Sequence, residues 1–178
     1  MKRTSAFALA TLAAVSLSTG VHAMGETPKQ EQASAATATT AETEHRMATL
    51  QTGMLAMESS RVAISRSSNM MVKQFAQAEI DEQTTIATVF KSMYPDMPEV
   101  KLNAENTAKL NQLKNAPSAG FDKAYVAMQI EGHNMLLEAQ DDYISGAQNR
   151  EEMNVAKLAR GQIKDHLKLL TAFQMHAR

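Results

Sequence analysis

The sequence predicts an all-α fold: four long helices in one bundle, with a long crossover carrying a short helix between the second and third. Three observations predict it. Apolar residues recur three and four apart from residue 43 onward, and no stretch alternates as a half-buried strand does. Only seven Gly and four Pro interrupt the 178 residues. Hydrophobic residues at 44% and charged residues at 21% are the composition of an ordinary globular chain with a core.

The first helix carries Met47, Leu50, Met54, Met57 and Ile64 on one stripe. The polar cluster Ser65 to Asn69 ends it, with Ser67 or Ser68 as the next cap. The second helix carries Val72, Ala76, Glu79, Gln83, Ile86 and Phe90, widened by Phe75 and Val89. Tyr94-Pro95 stops it, because Pro lacks a donor and disfavours helix in the residue before it. Asn103 caps a short helix through Leu110 and Leu113, and Ser118 is the expected cap of the third long helix.

That helix carries Phe121, Tyr125, Met128, Met135, Ala139 and Tyr143, with Val126, Ile130, His133, Leu137 and Ile144 beside them. Gly146 fits its stop. Asn149 with Glu152 reads as a capping box for the fourth, whose inward residues are Val155, Leu158, Ala159, Ile163, His166, Leu167, Leu169, Leu170 and Phe173. Gly53, Gly132 and Gly161 lie inside helices, at a cost of ~1 kcal/mol each relative to Ala, and close packing is the expected reason. The two short links imply antiparallel hairpins. Residues 94–119 are long enough to run the length of the bundle, which is the ferritin-like connectivity. A plain up-down-up-down order is the alternative.

The ends of the chain divide differently. Residues 1–23 read as a signal peptide: Lys2 and Arg3, an apolar run of about a dozen residues from Phe7, and small residues before a cut after Ala23. The run is short of the ~20 residues a spanning helix needs. Residues 24–42 read as a flexible Ala/Thr-rich linker, and 43–178 as the bundle. A periplasmic or secreted location follows, with an outer-membrane association left open. A homodimer is compatible with the sequence, although no residue points to one.

Several functions are excluded. A net charge of −1 and 4% aromatics provide neither a basic stripe nor stacking platforms for nucleic acid. Zero Cys removes disulfides, thiolate metal sites and a Cys nucleophile. No Gly-rich phosphate loop or nucleophile elbow is present.

One constellation carries chemistry. Glu58, Gln83, His133 and His166 fall within about three residues of their helix centres, about 5 Å along the axis. Glu79 shares the stripe of Gln83. Imidazoles and carboxylates facing inward in a bundle bind transition metals. The candidate metal ligands are therefore Glu58, Glu79, Gln83, His133 and His166, with Glu131 or Asp165 as further partners. The competing reading is a hydrogen-bonded polar layer without metal. A di-iron centre lacks its Glu-x-x-His pairs, since Ile163 stands three before His166. That argues against ferritin-like oxidase activity, and no cofactor is certain. The 13 Met, including Met54-x-x-Met57 and Met70-Met71, suggest Cu(I) handling as a further possibility, against the simpler role of core filler. His45 and His176 read as surface residues at helix ends.

Phe75-Ala76-Gln77, Asp81-Glu82-Gln83, Phe121-Asp122-Lys123-Ala124-Tyr125, Glu131-Gly132-His133 and Asp165-His166-Leu167 together resemble the landmarks of the bacterial domain-of-unknown-function 4142 family. The resemblance spans about residues 44–175. It implies a secreted, ferritin-like bundle of a family often labelled outer membrane proteins, with no established activity. It aligns His133, His166 and Glu58 with family positions. Where the family usually has His after the helix-two acid, this chain has Gln83, a poor transition-metal ligand. The expected role is a non-enzymatic envelope or stress-related binding protein. The alternatives are a mid-bundle metal site or Met-rich copper handling.

Overall fold

A computed structural model describes residues 39–147 and 149–176, apart from the His176 side chain. The expected signal peptide and residues 24–38 of the expected linker lie outside the described residues. Five helices follow in order: α1 (Thr40–Arg66), α2 (Met70–Met93), α3 (Ala104–Lys114), α4 (Phe121–Gly146) and α5 (Arg150–His176). A single 3-10 turn, Ser118–Gly120, leads into α4 where a Ser118 cap was expected. No strand occurs among the described residues. No described helix is long and apolar enough to cross a membrane.

The helix ends have identifiable causes. α1 begins at Thr40, inside the expected linker, because Thr39 and Glu42 form a reciprocal capping box. Asn69, not Ser67 or Ser68, caps α2 through its bond from the Met71 N–H. Asn103 caps α3, and Asn149 accepts from the Glu151 and Glu152 N–H groups at the start of α5. At the end of α3 the Arg66 guanidinium donates to the carbonyls of Leu113, Lys114 and Ala116 and lies over the Phe121 ring. A cation at a helix C-terminus satisfies orphan carbonyls and the helix dipole together.

Side-chain contacts give the directions. Thr49 meets Gln140 and Ser60 meets Tyr125, so α1 and α4 are antiparallel. Asp141 pairs with Arg160 and His133 with His166, so α4 and α5 are antiparallel. Phe75 packs on Tyr125 near the starts of α2 and α4, while Tyr94 bonds Asn149 just past their ends. Those two helices are parallel. The crossover between them therefore runs the bundle's length with α3 laid along it, and the up-down-up-down alternative falls.

The core surrounds a polar waist. One apolar cluster gathers Val72, Phe75, Leu113, Phe121, Tyr125 and Leu170; a smaller one holds Leu136, Ala159 and Ile163. Each such side chain contributes roughly 1.5–3 kcal/mol of burial. Leu158 and Leu169, expected inside, are 76% and 49% exposed, and Met135 is 46% exposed. Eleven residues are three helical turns, so Leu158 and Leu169 share one face of α5, and the seam of Ala159, Ile163, His166 and Leu170 turns the other inward. The close packing expected at the glycines holds at one. A Cβ at Gly53 would stand 2.1 Å from Gln83 Oε1; at Gly132 it would only touch Thr52, and at Gly161 it would meet open space.

Candidate metal centre

Three of the five expected ligands converge. Glu79 on α2, His133 on α4 and His166 on α5 are all buried, at 0%, 1% and 9% exposure. His133 Nε2 lies 3.1 Å from His166 Nδ1. Glu79 Oε2 lies 3.3 Å from the first and 3.1 Å from the second. These atoms form a nearly equilateral triangle. A tetrahedron with ~2.05 Å metal–ligand bonds has edges of about 3.3 Å, so one ion seated just off the triangle's plane reaches all three atoms.

The other polar atoms of His133 and Glu79 are hydrogen-bonded, and that of His166 faces a carboxylate. His133 Nδ1 donates to the Gln129 carbonyl at 2.8 Å, which places its proton there and leaves the Nε2 lone pair facing the triangle. His166 Nε2 faces Glu82 Oε2 at 3.4 Å. Gln83 donates to Glu79 Oε1 at 2.9 Å, which turns Oε2 toward the rings. An acceptor behind each imidazole and a donor behind the carboxylate are the outer contacts that orient metal ligands. Glu79 Oε2 receives no well-directed hydrogen bond despite its two neighbours, and neither does Glu82 Oε2. Phe75 closes one side, its ring centroid 5.1 Å from that of His166 and 6.1 Å from that of His133.

Electrostatics follow from burial and proximity. Burial alone pushes the Glu79 carboxyl up, but polar contact with His133 and His166, and their charge, outweigh it and hold it at about 2. Glu82 is pushed up to about 7, first by burial and further by Glu79, against the pull of both imidazoles. Burial works against a charged His166, yet Glu79 and Glu82 together raise it above the usual histidine value.

The structure separates the remaining candidates. Glu58 is 38% exposed at its side chain and pairs with Arg61. It follows Met57, and one residue of helix turns the side chain about 100° away from the seam. Glu131 pairs with Lys109 and Asp165 with Lys168, both outside. Gln83 bonds Glu79 and stands behind it. Glu82 was missed as a partner, although Glu79-x-x-Glu82 puts both on one helix face.

His45, expected at the surface, is 5% exposed. Its Nδ1 meets Glu152 Oε1 at 2.7 Å and its Nε2 meets Gln140 Oε1 at 2.8 Å, with Tyr143 stacked on the ring. Glu152 also accepts from Tyr94 at 2.5 Å and Arg46 at 3.3 Å, tying the ends of α1, α2 and α5 together.

A family model described as "Domain of unknown function (DUF4142)" matches residues 27–173. No curated protein and no solved structure matches the chain.

Proposed function

The chain belongs to the DUF4142 family, and on that premise we propose that its bundle is a non-enzymatic metal-binding module, holding one transition-metal ion through Glu79 Oε2, His133 Nε2 and His166 Nδ1. One observation carries this reading: three buried ligand atoms, one from each of three helices, stand 3.1–3.3 Å apart, with the opposite atoms of His133 and Glu79 hydrogen-bonded and that of His166 facing Glu82. Two nitrogens and a carboxylate oxygen suit Zn(II) and copper better than a hard oxygen-seeking cation. The Lys2–Ala23 pattern supports action after export, which a mature N-terminus following Ala23 checks.

A proton is the competing occupant. His166 raised by its two carboxylates can donate an N–H into the same triangle, making a polar layer with no cargo. Elemental analysis of protein purified without chelator separates the two. The metal reading expects about one ion per chain, lost in His133→Ala. Sub-stoichiometric metal that His133→Ala leaves unchanged overturns it.

A further inference from the structure

Ligands this deeply buried need a way in from solvent. A cavity of about 280 Å³ lies between α1, α2 and the crossover. Gly53 and Gln83 form its buried inner wall. Gln83 therefore touches the cavity on one side and Glu79 on the other. Gly53 makes this possible, because any larger residue would occupy the space of the Gln83 carboxamide.

The cavity's lining has a definite chemistry. Met54, Met57 and Met97 line one small space from two chain segments, alongside Leu50, Ala87, Val100 and the charged Lys91 and Glu99, and the Met57 sulfur also meets Arg61 and Thr84 at 3.7 Å. All three Met are half-buried around the cavity and not packed into the core. Thioether sulfur is a soft donor that binds Cu(I) and leaves hydrated divalent ions in water. A lining of mainly apolar side chains also disfavours a cation that keeps its water shell.

We propose that this cavity is a capture vestibule for Cu(I), which the thioethers of Met54, Met57 and Met97 strip from a carrier and which passes the Gln83 carboxamide to reach Glu79, His133 and His166. The inference rests on the metal reading above and adds to it the ion and its route. Gln83 is a positioning residue in it, holding Glu79 in place when the vestibule is closed and swinging aside when an ion passes.

The test is the rate of Cu(I) transfer from a chromophoric Cu(I) chelator to the full-length chain without oxygen. Ala87→Phe and, from the opposite wall, Val100→Phe each fill the vestibule. An obstruction on the path slows capture and release alike, so both rates should fall at least about tenfold while the equilibrium affinity stays within about threefold. Combined Met54→Leu, Met57→Leu and Met97→Leu should abolish the kinetic preference for Cu(I) over Zn(II). Melting curves of all variants check that the bundle is folded. Wild-type transfer rates in both filled variants overturn the route, with ions then passing the edge of His166, whose side chain keeps 11% exposure. An unchanged Cu(I) preference in the triple variant overturns the ion. A wild-type chain that binds neither Cu(I) nor Zn(II) overturns the metal reading and this one together.

Discussion

His133 and His166 meet nitrogen to nitrogen at 3.1 Å, and a carboxylate oxygen completes the triangle with no N–H pointed at it. An ion seated between the three atoms, or a proton carried on one ring nitrogen, satisfies the facing lone pairs. A bound ion should therefore stabilise the bundle measurably. At a free concentration a hundredfold above Kd, linkage contributes about 2.7 kcal/mol, roughly 8 °C in melting temperature for a domain of this size. Differential scanning calorimetry of chelator-treated protein, with and without Zn(II), measures it. The shift should vanish in His133→Ala.

Without metal the pH dependence has a recognisable shape. Glu79 sits at about 2 in the fold against 4.5 ordinarily, so its contribution is complete above 4.5 and is lost as pH falls toward 2. Glu82 is displaced the other way, from 4.5 to about 7, so its contribution is complete below 4.5 and is lost as pH rises to 7. His166 is raised, so its share is complete below 6.5 and is lost as pH climbs through its folded value. Stability of the metal-free chain should peak in mild acid and decline toward neutrality. Urea midpoints from pH 3 to 8 report it, and Glu82→Gln should flatten the limb between 4.5 and 7. Metal affinity should run oppositely and weaken on acidification, because a proton then competes for His166 Nδ1.

How much of this was legible depends on the range of each signal. The helical seams and the waist residues Glu79, Gln83, His133 and His166 were readable because helix periodicity and distance from a helix centre are local quantities. Glu58 was misplaced by a single position, since a residue adjoining a seam in sequence can face Arg61 and solvent. His45 was misread twice over. The Thr39-x-x-Glu42 capping box starts α1 at Thr40, so residue 45 lies in the second turn and not at a frayed end. Its partner Glu152 is 107 residues away, and no local pattern announces that pairing.

The helical glycines should respond in opposite directions to one substitution. Gly161→Ala adds a methyl to open space and removes backbone freedom from the unfolded chain, for a gain of about 0.5–1 kcal/mol. Gly53→Ala drives the Gln83 carboxamide out of its place and breaks its bond to Glu79, at a net cost of about 1–3 kcal/mol. Denaturant titration measures both. Because Gly53 acts through Gln83, the cost should shrink in a Gln83→Ala background, and a double-mutant cycle would show that coupling. Gln83→Ala itself should weaken metal binding about 10–100-fold, as the loss of an outer contact to a ligand does.

Far from the waist, Glu152 holds the ends of α1, α2 and α5 through Tyr94, His45 and Arg46, all meeting one carboxylate with 0% side-chain exposure. Removing it strands the Arg46 guanidinium, which also bonds the Thr43 hydroxyl and lies over the Tyr94 ring. A buried charge left without its partner costs about 3–5 kcal/mol, so Glu152→Ala should be among the most damaging single substitutions in the chain. Tyr94→Phe deletes the hydrogen bond to the charged Glu152 and the one accepted from Asn149, and should cost about 1.5–3 kcal/mol, leaving the ion pair in place. Neither touches the triangle of Glu79, His133 and His166. Metal affinity measured below the melting transition should therefore be unchanged in Tyr94→Phe while its urea midpoint falls, and a parallel loss of affinity would mean that the two ends of the bundle are coupled.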